Sequence, residues 1–123
     1  MIKYKLKKLS LNGKKEQIYL VSNQFNIGQT IYIETSISEI RGIRIYYKHV
    51  IVPVKIHSIG NSQLGYPGIF YHDSDSHKIY HCNLHNCYNI IKKVSSKTKI
   101  PLDTELVIKD EYQSQINKLL LSI

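Results

Sequence analysis

The sequence contains no alanine, the residue that best favours a helix. It has instead twenty isoleucines and ten tyrosines, whose β-branched and aromatic side chains fit the pleated surface of a strand. The length of 123 residues is enough for one domain with a single core. We therefore expect one mainly β domain that spans residues 1–123. AT-rich codons produce part of the same bias, because they encode isoleucine, lysine and tyrosine but not alanine.

The N-terminal residues alternate between apolar and basic side chains. Ile2, Tyr4 and Leu6 fall on one face of an extended chain, and the lysines between them fall on the other. The pair Asn12-Gly13 is a strong turn signal and is followed by the apolar run 17–21. The sequence therefore predicts an opening β-hairpin.

Further short strands are predicted along the chain, separated by turn residues. They cover residues 30–34, 43–47 with its continuation at 50–59, 69–72, 78–82 and 88–94, with Pro53 marking an edge or a bulge. The residues 73–76, Asp-Ser-Asp-Ser, favour a turn that makes a second hairpin. Because the connections are too short for helical crossovers, we expect a small antiparallel barrel or sandwich of six to seven strands.

The C-terminal segment has a different periodicity. Asp103 or Thr104 can cap a helix, and Ile108, Tyr112 and Ile116 follow at helical spacings. We therefore predict one helix at about residues 103–121, which makes the fold class α+β.

Several features predict a protein of the cytoplasm. No run of eighteen apolar residues is present, so no membrane partner is expected. The N-terminus lacks the apolar region of a secretory signal, and two cysteines are too few for a disulfide scaffold. We expect both thiols to be reduced.

Six histidine and cysteine residues lie close together between residues 72 and 87. A structural zinc site would take two of the histidines and both cysteines, namely His72, His77, Cys82 and Cys87. The spacing opposes this, because the neighbours His81 and Cys82 point to opposite faces of a regular strand. The alternative is that the histidines lie on a solvated hairpin and the cysteines are small core residues. Our leading expectation is no cofactor.

The same segment raises two enzymatic hypotheses. A cysteine nucleophile would need His81 or His85 as its base, yet no third orienting group is evident. A metal-dependent nuclease would use the histidines with Asp73 and Asp75 around a divalent ion. No glycine-rich phosphate loop is present. We expect a binding protein rather than an enzyme.

The chain is strongly basic, with 17 Lys+Arg against 9 Asp+Glu and a net charge of +8. Lysines cluster near both ends, with tyrosines interleaved, and small β-proteins bind single strands by combining such charges with stacking rings. The scarcity of arginine weakens this prediction, and an ordinary solvated surface is the alternative. The candidate ligand-binding lysines are Lys3, Lys5, Lys7, Lys8, Lys14, Lys15, Lys92, Lys93, Lys97 and Lys99.

One C-terminal pattern runs from residue 89 to residue 112. It has the pair Ile90-Ile91, then Ile100-Pro101, then Val107-Ile108 and Tyr112. This pattern, covering about a fifth of the chain, resembles that of short uncharacterised proteins in phages of gut Bacteroidetes. Those proteins tend to carry small residues and Thr or Asp after the Ile pair, where this chain has residues 92–95, Lys-Lys-Val-Ser. The resemblance implies a phage origin and carries over no functional residue.

We therefore expect a small basic protein, encoded by a phage or mobile element, that engages a polyanion in the host cytoplasm. The polyanion would be RNA, single-stranded DNA or an anionic nucleotide. The alternative is an inhibitor or counter-defence factor that docks on a host protein through the strand edge at Pro53 or through the C-terminal helix. Many short strands and an apolar helix also permit a homodimer.

Overall fold

A computed structural model describes residues 3–73, 75–95, 97, 102, 106–107 and 117–118 of the chain. Its strands form one sheet in the order β6-β5-β4-β3-β7-β2-β1-β8, with every neighbouring pair antiparallel. The bounds are β1 Lys3–Leu9, β2 Gln17–Ser22, β3 Thr30–Arg41, β4 Arg44–Asn61, β5 Pro67–His72, β6 Ile79–Asn83, β7 Cys87–Val94 and β8 Leu106–Val107, with a 3₁₀ turn at Leu84–Asn86.

The prediction of a mainly β, antiparallel fold is confirmed, but the prediction of a barrel or sandwich is not. Among the described residues the strands pair as one open sheet with edges at β6 and β8. One isolated bridge connects the two ends of the five central strands. Leu11, just after β1, bridges Ile51 of β4, and the Asn12 N–H donates to the Ile51 carbonyl at 2.8 Å. This isolated bridge does not extend into a continuous ladder.

The opening hairpin of β1 and β2 is confirmed. Asn12 and Gly13 both have positive φ, at 53° and 73°, and the Lys14 N–H donates to the Leu11 carbonyl. Asparagine and glycine adopt this left-handed conformation at low cost, which explains why the pair makes the turn. The connection is longer than two residues, since β2 begins only at Gln17.

Two clusters of apolar side chains lie on opposite faces of the central strands, because successive residues of a strand alternate in direction. Ile33 and Cys87 face each other across β3 and β7 in the first cluster, and Tyr32 and Tyr88 do so in the second. The first cluster contains Ile31, Ile33, Ile56, Ile69, Cys82 and Cys87; the second contains Leu9, Leu11, Val21 and Tyr88, with Tyr19, Tyr32, Ile51 and Ile90 packed against it.

The longest hairpin extends beyond the strands predicted at 30–34 and at 43–47 with its continuation at 50–59. β3 and β4 pair without interruption from Thr30 with Lys55 to Arg41 with Arg44. Pro53 lies inside β4 at a point where only β3 is its neighbour, because pairing of β4 with β5 begins at Ile56. Pro53 thus occupies a local edge, where its missing N–H costs no ladder bond.

The predicted C-terminal helix is not borne out at its start. Leu106 and Val107 pair with Tyr4 and Lys3 of β1, so they form a strand where helix was expected. The unpaired edge of β1 offers hydrogen-bond partners to the backbone of this segment. The helical spacing of its residues is a local pattern and contains no information about that distant edge. Residues 117 and 118 are helical, and the rest of 103–121 lies outside the described residues.

Candidate functional site

The outer half of the β3–β4 hairpin projects beyond the body of the sheet. Every residue from Ser36 to His49 is exposed, and we call this segment the arm. Each strand contributes six residues to it, which corresponds to a length of about 20 Å at the usual rise of a strand. No other described residue covers either face of the arm, so both faces are exposed within this part of the chain.

The register gives the arm two unlike faces, because residues directly opposite each other share a face. The basic face consists of Ile37, Glu39 and Arg41 from β3 with Arg44, Tyr46 and Lys48 from β4. The apolar face consists of Ser36, Ser38 and Ile40 with Ile45, Tyr47 and His49.

The tip of the basic face holds both arginines of the sequence, although lysines outnumber arginines by 15 to 2. Arg41 and Arg44 lie directly opposite each other, beside the turn at Gly42 and the fully exposed Ile43. The Arg41 guanidinium lies 3.2 Å from the Glu39 carboxylate and 5.3 Å from the centre of the Tyr46 ring. Arg44 has no ion pair or hydrogen bond among the described residues. Cationic and aromatic groups therefore meet at one exposed point.

A second group of cations crosses the sheet away from the arm. Lys7 lies opposite Tyr19 on β2, and Tyr19 lies opposite Lys93 on β7, so two lysines flank one half-buried tyrosine. We call these three residues the lysine row. By alternation Lys3 and Lys5 share its face. Four of the ten predicted lysines are thus brought together on one face.

The other predicted lysines are dispersed. Lys8 and Lys92 lie on the opposite face, opposite Ile18 and Leu20, and Lys8 pairs with the Glu16 carboxylate at 3.6 Å. Lys14 and Lys15 are exposed in the first hairpin loop, and Lys97 is exposed beyond β7. Lys99 lies outside the described residues.

The four candidate zinc ligands lie in different surroundings. Cys82 and Cys87 are buried in the core, whereas His72 is exposed and packs edge-on against His57 with ring centres 4.5 Å apart. His77 is exposed in the β5–β6 loop, where its φ is 58°. In the part of the chain that the structure describes, no three His, Cys, Asp or Glu side chains are grouped to hold a metal ion.

The two thiols interact with each other. A hydrogen bond from Cys87 lowers the pKa of Cys82, and the same bond together with burial raises the pKa of Cys87. The Cys87 Sγ also lies 3.3 Å from the Asn83 carbonyl oxygen, so its single S–H donates either to that oxygen or to Cys82. Of the histidines proposed as a base for a thiol, His81 instead places Nε2 3.1 Å from the Gly60 carbonyl oxygen, and His85 is exposed in the 3₁₀ turn.

The β5–β6 loop confirms the predicted turn at residues 73–76. The Asp73 carboxylate accepts hydrogen bonds from the Ser76 hydroxyl at 2.6 Å and from the Ser76 N–H at 3.2 Å. The Ser76 hydroxyl is the main reason that the pKa of Asp73 is lowered. One of the two carboxylates proposed for a divalent ion is therefore already used to close the turn.

This turn supplies a testable prediction. Replacing Ser76 with alanine should raise the pKa of Asp73 towards its ordinary value, as measured by a proton titration followed by NMR. Because the folded-state pKa is lowered, the stabilisation exists above the unfolded-state pKa and disappears as the pH falls through the folded-state pKa. A pKa of Asp73 that is unchanged in Ser76→Ala would contradict this assignment.

A cleft of about 380 Å³ lies at one end of β1 and β2. Its lining includes Lys3, Lys5, Asn23, Phe25 and His85. Two of the predicted lysines, Lys3 and Lys5, therefore line one concave part of the surface.

The sequence reasoning missed the arm, although it predicted a strand at 43–47. The available signal was the segment 41–44, Arg-Gly-Ile-Arg, in which both arginines flank a glycine. Gly42 has a φ of 64°, as a turn at this point requires.

Comparisons with protein-family models, curated proteins and solved structures found no match to this chain. The described residues include no helix with the length and apolar character needed to cross a membrane.

Proposed function

We propose that this protein binds single-stranded nucleic acid through the basic face of the arm. The observation that carries the proposal is the pairing of Arg41 with Arg44 at the exposed tip, next to Tyr46. Guanidinium groups form forked, charge-assisted hydrogen bonds with phosphate oxygens, which makes two opposed arginines suited to a phosphate backbone.

The tyrosines favour a single strand over a duplex. Tyr46 lies among the arginines on the basic face, and an exposed ring can stack on a base only when that base is unstacked from its neighbours. Stacking contributes about 1–3 kcal/mol per base and tolerates any sequence. The proposal therefore implies affinity with little sequence preference.

The remaining charge supports the proposal at longer range. A net charge of +8 attracts polyanions and speeds their encounter with the protein at low salt. The lysine row repeats the combination of cations and a tyrosine at a second place and supplies a further contact for a longer strand. The ten predicted lysines, the phage origin and the cytoplasmic location remain predictions.

A binding titration tests the proposed function. A labelled oligonucleotide of about 16 nucleotides is compared with its duplex and with an abasic strand of equal length, from about 50 to 200 mM salt. We expect the intact single strand to bind most tightly and the logarithm of affinity to fall with the logarithm of salt by about 0.7 per phosphate contacted. No binding at the lowest salt, or equal binding of the abasic strand, would contradict the proposal.

Replacing Glu39 is expected to change the affinity for nucleic acid in the opposite direction to replacing an arginine. Its carboxylate neutralises Arg41 and would repel an approaching phosphate. Replacing Glu39 with glutamine should therefore strengthen binding by about 2- to 5-fold, since one exposed ion pair is worth up to about 1 kcal/mol. The measurement is the same titration at low salt. Weaker binding by Glu39→Gln would show that this carboxylate, rather than the arginine it holds, contributes to recognition.

A further inference from the structure

The two cysteines of the chain have no part in the proposed function. Both are buried in the first cluster of apolar side chains, although their strands are not neighbours in the sheet. Cys82 lies near the end of the edge strand β6, opposite Ile69 of β5. Cys87 begins the central strand β7, opposite Ile33 of β3. The 3₁₀ turn at Leu84–Asn86 connects the two strands and keeps the thiols close together.

Both sulfur atoms lie against the same backbone group. The Sγ atoms of Cys82 and Cys87 lie 3.7 Å and 3.3 Å from the Asn83 carbonyl oxygen. The Cys87 Sγ is also 3.7 Å from the carbonyl oxygen of Cys82. Two cysteines can be joined without moving the backbone only if their side chains already converge. The side chains of Cys82 and Cys87 converge in this way around one carbonyl oxygen.

We propose that Cys82 and Cys87 form a reversible intramolecular disulfide on exposure to hydrogen peroxide, and that the pair is therefore a redox modification site. The Cys82 thiolate attacks one peroxide oxygen and breaks the O–O bond, which gives a Cys82 sulfenic acid and releases hydroxide. The hydroxide takes up the proton that the Cys82 thiol has lost and becomes water.

Cys87 completes the reaction. Its sulfur attacks the Cys82 sulfur, the sulfenic hydroxyl leaves, and the proton of the Cys87 thiol converts that hydroxyl into a second molecule of water. The two sulfurs together lose two electrons, which reduce one hydrogen peroxide to two molecules of water. A dithiol reductant reverses the change by thiol–disulfide exchange.

The order of the two steps follows from the contact between the thiols. The hydrogen bond from Cys87 lowers the pKa of Cys82, and the same contact together with burial raises the pKa of Cys87. Since the thiolate is the form that reacts with an oxidant, Cys82 is expected to react first. The neighbouring Cys87 then captures the sulfenic acid before it is oxidised further, as a resolving cysteine does.

The burial of the pair selects a small oxidant. Cys82 and Cys87 are only 8% and 7% exposed, so a bulky disulfide such as oxidised glutathione has little access to either sulfur in the folded chain. Cys87 does line the cleft of about 380 Å³ at the end of β1 and β2. That cleft has room for molecules of the size of water, and hydrogen peroxide is only slightly larger.

Peptide mapping of the wild-type protein tests the proposal without nucleic acid, so its outcome is independent of the proposed function. The folded protein is treated with a small excess of hydrogen peroxide, unfolded in N-ethylmaleimide and digested with trypsin. Both cysteines fall in peptide 79–92, because no Lys or Arg lies between Lys78 and Lys92. We expect this peptide to lose the mass of two hydrogen atoms and to take up no N-ethylmaleimide. Reduction with dithiothreitol should restore both thiols.

Three outcomes of the mapping would overturn the proposal: two thiols that are still blocked by N-ethylmaleimide, an irreversibly oxidised cysteine in place of the disulfide, or a disulfide that links two chains. Oxidised glutathione at the same concentration is the control for access, and we expect no disulfide from it over the same time. A disulfide that forms equally fast with oxidised glutathione would overturn the assignment of peroxide as the oxidant.

The variant Cys87→Ala checks the assigned order of the steps. Its remaining thiol should stop at the sulfenic acid, which dimedone traps, whereas the wild-type protein should give no adduct because Cys87 resolves the intermediate. Equal labelling of the two proteins would contradict this order. A thermal melt shows whether the variant is folded, and the wild-type peptide map decides the proposal if it is not.

Urea unfolding of the oxidised and the reduced wild-type protein checks the geometry. A disulfide between side chains that already converge restricts the unfolded chain without straining the folded one, so the oxidised protein should have the higher midpoint. A lower midpoint after oxidation would show that Cys82 and Cys87 are not placed for a disulfide in the native fold.

Discussion

Replacing Arg41 and Arg44 together with serine is expected to lower the affinity for single-stranded nucleic acid by about 10- to 100-fold at low salt. Each guanidinium can make a charge-assisted hydrogen bond to phosphate, and such bonds are worth about 1.5–3 kcal/mol before solvent exposure reduces them. The salt dependence should also become shallower by about 1.4 in logarithmic slope, because two fewer phosphates are contacted. Both positions are exposed, so stability should change little.

The matched control for the arginine variant is Lys55→Ser/Lys78→Ser, which removes the same charge from two exposed positions away from the tip. A general effect of net charge would weaken binding equally in both double variants. We expect the control to lose less than about 3-fold in affinity, as for two screened surface charges. Equal losses would show that the arm is not the site. Comparison with Lys7→Ser/Lys93→Ser measures the share of the lysine row.

Replacing Gly68 with alanine is expected to destabilise the fold by about 1–3 kcal/mol, as overpacking of a buried position does. Gly68 is buried in β5 opposite Asn83 of β6. A methyl group there would overlap the Cys82 carbonyl oxygen and lie 2.6 Å from Cε1 of His81. The backbone oxygen belongs to the paired strand, so it cannot move aside without separating β5 from β6.

Gly60→Ala is the control for this variant. A methyl group on Gly60 would meet only the Phe70 ring, at an ordinary contact distance of 3.5 Å. Urea unfolding should give a much lower midpoint for Gly68→Ala than for Gly60→Ala. Equal midpoints would mean that β5 and β6 are not packed as closely as described.

Local signals in the sequence were sufficient for the tight turns. Asn12-Gly13 makes the first turn because both residues tolerate positive φ, and Asp73 closes the second through its own side chain. Strand β7 was also predicted, because its residues form a continuous run between loop residues. These features depend on interactions between residues that are only a few positions apart in the sequence.

The extent of the β3–β4 hairpin could not be predicted in the same way. Residues 36–41 have no buried face, so burial imposes no pattern on their polarity, and the predicted strand therefore ended at Glu34. The strand at 106–107 was missed because it depends on the free edge of β1, about a hundred residues away. Strand order likewise rests on such distant pairings.

The sequence indicated which types of residue the candidate site contains, but it did not indicate where in the fold they lie. The sequence reasoning expected cations beside tyrosines on strands and found the lysines of β1 and β7, of which Lys7 and Lys93 do flank Tyr19. It gave little weight to arginine because only two are present. The hairpin register places those two directly opposite each other, which no count of residues can reveal.

The central claim, that the basic face of the arm binds single-stranded nucleic acid, is tested most directly by mapping the contact. An isotope-labelled sample is titrated at low salt with a single-stranded oligonucleotide, and the shift of each backbone amide signal is recorded by NMR. The account predicts the largest shifts between Arg41 and Lys48, with smaller shifts along the lysine row. An arm whose signals stay unchanged while the oligonucleotide binds elsewhere would contradict it.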